Sequence, residues 1–286
     1  MKIMSRKFKL ISHFIVTIFA QLFKLENDFT FRSRKYVAES IANKYYRLEN
    51  FENSDAKTNG EYKFQTKILA QYTNQNKPII LFDVGANSGD FSRQLIATAE
   101  KIKVKIQLHL FEPTQTNFQI LEEKFNSLSN IKLNNQALSN QSGQAIMYAN
   151  FPGSEGSSFD PRSNLSLEGN PFNHHEEVEK ITLAQYLDEQ KITEVLFLKL
   201  DAEGHELKIF TGTGKYLKPE IIRLIQFEWN PGFKNKLADF YELLQPAGYQ
   251  IFQITKNGNL ELRPYQLKLE KFFANYVACK SNPLKK

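Results

Sequence analysis

The sequence predicts a doubly wound α/β fold with a mostly parallel, seven-stranded sheet, preceded by a basic helical N-terminal extension. Three observations predict it. Short apolar runs such as "IILFDV" (79–84) and "VLFLKLD" (195–201) are bounded by turn residues, as buried parallel strands are. Stretches of helical period alternate with them along the chain. Glycines cluster directly behind the first run, in "FDVGANSGDF" (82–91), and such folds bind ligands at the carboxyl ends of their strands.

The extension comes first. Up to residue 47, ten Lys and Arg face Glu26, Asp28 and Glu39, a net +7 in a chain of 286 residues whose total is +6. The body is therefore near neutral, which excludes a protein that binds nucleic acid over its whole surface. Within the extension, Lys9, His13, Thr17, Gln21 and Lys24 recur at helical spacing among Phe, Leu, Ile and Val, giving a helix with a narrow polar stripe. It is too short and too polar for a membrane span, and no small-residue cleavage site follows it. Two readings stand: an interfacial helix over residues 8–25 resting on anionic lipid, or a cap packed on the body or on a partner chain. A second basic helical stretch (33–48) leads into the polar linker 49–61. The division is set at 1–58 for the extension and 59–286 for the catalytic domain.

The body then reads, in order, as strand 79–84, helix 90–99, strand 106–112, helix 115–125 and a strand around "IKLNNQAL" (131–138). A turn at "NQSG" (140–143) leads into strand 144–150. The long polar stretch 151–180 reads as a loop or lid, including "HHEE" (174–177), which lacks a helical metal-binding spacing and reads as solvated. Thr182 caps a helix through residue 190. Strand 195–201, helix 204–210, strand 221–229, a helix ending at Gly248, and strands 249–255 and 275–280 complete the domain. The single cysteine, Cys279, excludes a disulfide framework or a thiolate metal site within one chain, and fits a reducing cytoplasm.

The glycine turn narrows the choice of ligand by what it lacks. Gly85 and Gly89 sit where a nucleotide-binding turn belongs, but Ala86, Asn87 and Ser88 occupy the place where a dinucleotide site needs a glycine for its pyrophosphate. That argues against NAD. An adenosine cofactor without phosphates needs no such glycine, and S-adenosylmethionine is the common one. Glu112, ending the second strand, is placed to accept from both ribose hydroxyls. Asp83, Gly85 and Asn87 would face the methionine part, and Asn135, Gln136 and Ala137 the adenine.

At the acceptor, Asp201 and Glu228 end adjacent central strands, which brings both carboxylates over one crevice. Glu203 and His205 follow in the turn after Asp201. His205 reads as the base that titrates near neutral pH, with a carboxylate orienting its ring, against a packing role at a helix start. Lys199 interrupts an apolar strand and calls for pairing with Glu228 or Asp201. Asp201, Glu203, His205 and Glu228 could also supply ligands to a divalent metal, a count that spacing does not give. Ser157, Ser158 and Arg162 in the lid are candidate contacts to the acceptor. Trp229 either stacks on a sugar face or belongs to the core.

Taken together, "FDVGANSGDFS" (82–92), "FEP" (111–113), "NQALSN" (135–140), "GSSF" (156–159), "LKLDAEGHELKIFTG" (198–212) and "FE" (227–228) resemble the FkbM-type S-adenosylmethionine-dependent methyltransferases. The resemblance spans about residues 59–279, and Ala202 stands where the commoner family form has Val. It implies a class I methyltransferase (Rossmann-like) fold and methyl transfer to a hydroxyl of a sugar, glycan or secondary metabolite. Residues before 59 lie outside it. An adenine or cytosine N-methyltransferase would carry an Asn/Asp-Pro-Pro-aromatic turn where this chain reads Asp-Ala-Glu-Gly, so no nucleic-acid partner is expected. The non-enzymatic alternative is a methyltransferase-fold module that binds a glycan or a membrane complex. Retention of Asp83, Gly85, Gly89, Glu112 and Asp201 speaks against it.

Overall fold

The structure is a computed structural model that describes residues 50–73, 75–160 and 173–285. The expected helices of the extension and Arg162 lie outside the described residues. One compact unit runs from Asn50 to Lys286, so it begins nine residues before the expected domain boundary. The stretch read as a linker packs on the body: Phe51, Asn59 and Glu61 are all buried.

Helix α1 (Glu61–Leu69) leads into strand β1 (Ile79–Val84), buried along nearly its whole length. Then follow α2 (Asp90–Lys101), β2 (Ile106–Phe111), α3 (Gln115–Phe125) and β3 (Ile131–Asn134). After an excursion described below come α4 (Leu183–Gln190), β7 (Val195–Leu200), α5 (Glu206–Thr213), β8 (Ile222–Trp229), α6 (Leu237–Leu244), β9 (Gln250–Ile254), β10 (Leu260–Leu262) and β11 (Ala274–Cys279). The main sheet has the order β10-β9-β11-β8-β7-β1-β2-β3. β3, β2, β1, β7 and β8 are mutually parallel, and β11 runs antiparallel between β8 and β9. This is the expected class I arrangement with one strand more than predicted: three-residue β10 turns back on β9, too short to leave a periodic signal.

Aliphatic side chains of β1, β2 and β7 form the core, and aromatic groups extend it. Phe82 stacks on His109 at 4.8 Å between ring centroids, and Tyr186 meets Phe82 edge-on and shares a 2.8 Å hydrogen bond with His109. Burial and nearby Lys132 push the His109 imidazole down to about 4, so it is a neutral core group. As expected, Thr182 caps α4: its hydroxyl accepts from the Gln185 N–H at 3.0 Å.

The excursion corrects two sequence expectations. The single strand expected at 131–138 is two strands in two sheets, because Asn135 turns the chain by donating its amide to the carbonyls of Glu112 and Pro113, both at 3.0 Å. β4 (Ala137–Ser139), β5 (Gly143–Ala149) and β6 (His174–Thr182) form a second sheet of order β4-β6-β5. The polar stretch 151–180 is therefore not all loop: "HHEE" opens β6, antiparallel to β5. Only Val178 and Ile181 of that strand bury apolar side chains, so it carried too little alternation to be read as one. Among the described residues no helix is long and apolar enough to cross a membrane.

Candidate active site

The chain winds from β1 outward to β3 on one side, then returns through β7 on the other. Ligand-binding crevices open at such a reversal, outside the carboxyl ends of the strands. A cavity of about 790 Å³ lies there, within the range of roughly 300–1,000 Å³ usual for small-molecule sites.

Its first half is built by β1, β2 and the segment after β3. Gly85 has φ 77°, and a Cβ there would stand 1.8 Å from the carbonyl oxygen of Asp201. Only glycine lets the turn after β1 close on the turn after β7. The Asp201 N–H in turn donates to the Val84 carbonyl at 3.0 Å. Gly89, φ 82°, does not line the cavity; a Cβ there would press on Phe125 and Leu121, so it serves the packing of α2 on α3. Asp83 is fully buried beneath the floor, accepting from the Ser92 hydroxyl at 2.6 Å and pairing with Lys199 at 3.6 Å. This corrects the expectation that Asp83 faces the ligand, and Gly89 shapes the turn without lining the cavity.

Glu112 lines the cavity while 95% of its surface is covered. One carboxylate oxygen accepts from the Thr114 N–H at 2.9 Å and its hydroxyl at 2.5 Å; the other accepts from the Asn87 N–H at 2.9 Å. A carboxylate offers about four acceptor positions, so one remains on the second oxygen. The carboxylate therefore has one position open, where bonding to both ribose hydroxyls calls for two. Burial raises the Glu112 carboxyl above its ordinary value against the pull of Thr114 and Asn87. Gln136 and Ala137 line the wall nearby, as does Ser154, whose buried hydroxyl has no protein partner. An open acceptor position on Glu112 and an unpartnered Ser154 hydroxyl on the wall of the same cavity fit the hydroxyl-bearing adenosine part of the expected cofactor.

The second half is built by the ends of β7 and β8. Lys199, 7% exposed, lies 3.1 Å from Asp201 and 4.4 Å from the centre of the Phe91 ring. Burial works against its charge, but Asp201, Asp83 and Glu61 outweigh it and hold the ammonium protonated. The expected partner Asp201 is present; Asp83, rather than Glu228, is the second. Glu203 has left-handed backbone, φ 51°, a conformation that non-glycine residues seldom adopt. The turn is held by the Ser158 hydroxyl donating to the Glu203 carbonyl (3.1 Å), the Asn235 amide donating to that of Gly204 (2.9 Å), and Glu206 accepting from the Ala202 N–H (2.8 Å). Ser158 thus positions the turn and does not line the cavity, whereas Ser157 does.

The carboxyl groups here crowd one another. Burial, with Asp201 and Glu206 nearby, pushes Glu203 up to about 8; burial pushes Glu206 up to about 7, and Glu228 rises well above its usual range by burial and by repulsion from Asp201 and Glu203. His205 behaves oppositely to expectation. Burial against Phe159, 4.5 Å away, and the charges of Lys180 and Lys208 push it down to about 4. Its partner is the Ser139 hydroxyl at 2.9 Å rather than a carboxylate, so it is a neutral wall residue and not the base titrating near pH 7. Of the two readings of Trp229 the core one holds: it is 1% exposed and points away from the cavity, on the face of β8 opposite Glu228. Among the described residues no three His, Cys, Asp or Glu side chains gather as a metal site, so Asp201, Glu203, His205 and Glu228 do not assemble into the ligand set that spacing allowed.

The sheet order and the glycine turn with its acid at the end of β2 define a class I methyltransferase domain. The family model for the methyltransferase FkbM domain matches residues 83–251, and the chain belongs to this family of S-adenosylmethionine-dependent methyltransferases. Among solved structures it is similar to the methyltransferase FkbM of Methylobacillus flagellatus KT, with 15% identity, TM-score 0.44, and coverage of 89% of this chain and 64% of that one. It is also similar to a precorrin-6y C5,15-methyltransferase of Geobacter metallireducens GS-15 (14% identity, TM-score 0.37, 76% of this chain and 87% of that one). A third is a TehB-like methyltransferase of Corynebacterium glutamicum ATCC 13032 Kitasato (10% identity, TM-score 0.40, 86% and 100%). No curated protein matches the chain significantly.

Proposed function

We propose that the protein is an O-methyltransferase that acts on a hydroxyl of a sugar, glycan precursor or glycosylated metabolite. The observation that carries this reading is the group of carboxyls at the ends of β7 and β8, gathered around one buried lysine on the wall of the cavity. When bound, S-adenosylmethionine supplies an electrophilic methyl group carried on a sulfonium. A sugar hydroxyl attacks well only as its proton leaves, so a base must stand beside it. Glu203, held near 8, has the basicity that suits a base at physiological pH. Asp201, tied to Lys199, fixes the position of the acceptor and keeps negative charge opposite a cationic donor; Glu228 stands ready to share the proton. Neutral His205 and the Phe159 ring exclude water from one side.

The test is transfer of labelled methyl to a panel of methyl glycosides, with detection of an alkali-stable ether. Asp201→Asn and Glu203→Gln are expected to lower kcat by about 100-fold or more while S-adenosylhomocysteine binds within about twofold of wild type. Equal loss of binding and turnover would contradict the assigned roles. A wild type that binds the cofactor but methylates no glycoside would remove the sugar acceptor from the proposal and leave the methyltransferase.

We further place the protein in the cytoplasm, at the membrane face where glycan precursors are assembled. Deleting residues 1–25 is expected to abolish sedimentation with anionic liposomes and to spare cofactor binding; unchanged sedimentation would refute the membrane contact.

A further inference from the structure

The family match begins at residue 83, but the cavity wall begins earlier in the chain. Glu52, Ser54 and Ala56 line it. They belong to residues 50–61, which are bound to the body at both ends. The Phe51 ring lies 5.4 Å from that of Phe272 and under the guanidinium of Arg263 at 5.6 Å. Glu52 donates its N–H to the Phe273 carbonyl at 3.0 Å and accepts from the Phe273 N–H at 2.8 Å through its carboxylate. The Asn50 amide donates to the Ile254 carbonyl at 2.9 Å. At the far end, Glu61 accepts from Gln226 of β8 at 2.5 Å and from Asn275 of β11 at 3.0 Å. Asn50 and Glu52 both have left-handed backbone, φ 67° and 57°. Two such residues in three form a costly local shape that persists only where its surroundings enforce it.

The anchors show which end of the cavity the segment covers. In the sheet, β2 carries Glu112 and is separated from β11 by β1, β7 and β8. Four spacings of about 4.8 Å put roughly 19 Å between the two strands. The segment is fixed to β8, β11 and Phe273, so it roofs the end remote from Glu112. Lys271 and Phe273, just before β11, line that same end.

We propose that residues 50–61 form an acceptor-binding strap, in which Glu52, Ser54 and Ala56, facing Lys271 and Phe273, determine which hydroxyl-bearing acceptor enters. The proposal rests on the reading of this cavity as a methyl-transfer site. The Glu52 carboxylate and Ser54 hydroxyl offer hydrogen bonds to a polyhydroxylated molecule, and the small side chain of Ala56 sets the room left beside them.

The full chain carrying Ala56→Trp or Ser54→Trp tests this, since both positions are at least partly exposed and tolerate bulk without entering the core. S-Adenosylhomocysteine affinity is expected to stay within about twofold, while kcat/KM for the best methyl glycoside falls about tenfold or more. Unchanged kcat/KM, or a parallel loss of S-adenosylhomocysteine affinity, would overturn the proposal. A second measurement needs no acceptor. In Ser54→Cys the chain's own thiol, Cys279, is buried, so maleimide reports on the strap alone. Labelling at a rate unchanged by saturating S-adenosylhomocysteine supports the strap as acceptor-side, and protection would assign it to the cofactor and overturn it. If the wild type binds S-adenosylhomocysteine but methylates no glycoside, the sugar reading fails, and the thiol measurement decides the strap by itself.

Discussion

Around β1 and β2 the cavity's main polar group is already engaged by the protein: Glu112 accepts from Asn87 and Thr114 and keeps one position open. Around β7 and β8 the opposite holds. Glu203, Glu206 and Glu228 crowd together, their carboxyls are pushed up by burial and mutual repulsion, and Glu203 sits in left-handed backbone. The first half is preorganised for a ligand of fixed shape. The second stores electrostatic and conformational cost, as sites that must move a proton commonly do. Where the halves meet, the turn at Gly85 touches the turn at Asp201.

That meeting point gives the largest expected effect. Gly85→Ala places a methyl group 1.8 Å from the Asp201 carbonyl at φ 77°. Left-handed strain plus overpacking should cost on the order of 3 kcal/mol, read as a lowered denaturation midpoint with loss of cofactor binding. Near-normal stability would show that the two turns are not in contact.

A smaller effect separates the halves by pH. Glu203 and Glu206 have folded values of about 8 and 7 against an ordinary 4.5. The folded state therefore holds more protons than the unfolded one above about pH 4.5, and stability falls as pH rises toward 8. His205, lowered from 6.5 to about 4, acts the other way but only below 6.5. Between pH 6.5 and 8 the carboxyl effect should stand alone: Tm falls in wild type, and Glu203→Gln recovers roughly 2–4 °C at pH 8. A Tm that rises over this window, or a variant that leaves the fall unchanged, would remove the crowded-carboxyl account.

The same contrast explains what the sequence could tell. The cofactor half is local in the chain: strand, glycine turn, helix and acid follow within some thirty residues, so Gly85, Asn87 and Glu112 could be placed from spacing. The acceptor half is assembled from residues 52–56, 199–205, 228 and 271–273, a convergence that no spacing encodes. Spacing cannot choose between a base and a packing role for His205, because its titration depends on Phe159, Lys180 and Lys208 and its hydrogen bond on Ser139. Trp229 is different, since its place was legible. With Glu228 facing the crevice, the period of two along a strand sends its neighbour to the opposite face. Lys199 calls for a partner because a charged group in an apolar strand is costly unless paired; it lines the cavity and pairs with Asp201 and with Asp83, which lies beneath the cavity wall.

The most direct test of the cavity as a methyl-donor site is calorimetric titration of the full chain with S-adenosylmethionine and S-adenosylhomocysteine, repeated with Glu112→Ala. Both should bind one site in the wild type. Losing a charged hydrogen-bond acceptor should weaken binding by about 10- to 100-fold, with the fold retained. A folded wild type that binds neither molecule, or a Glu112→Ala variant that binds both unchanged, would contradict the account.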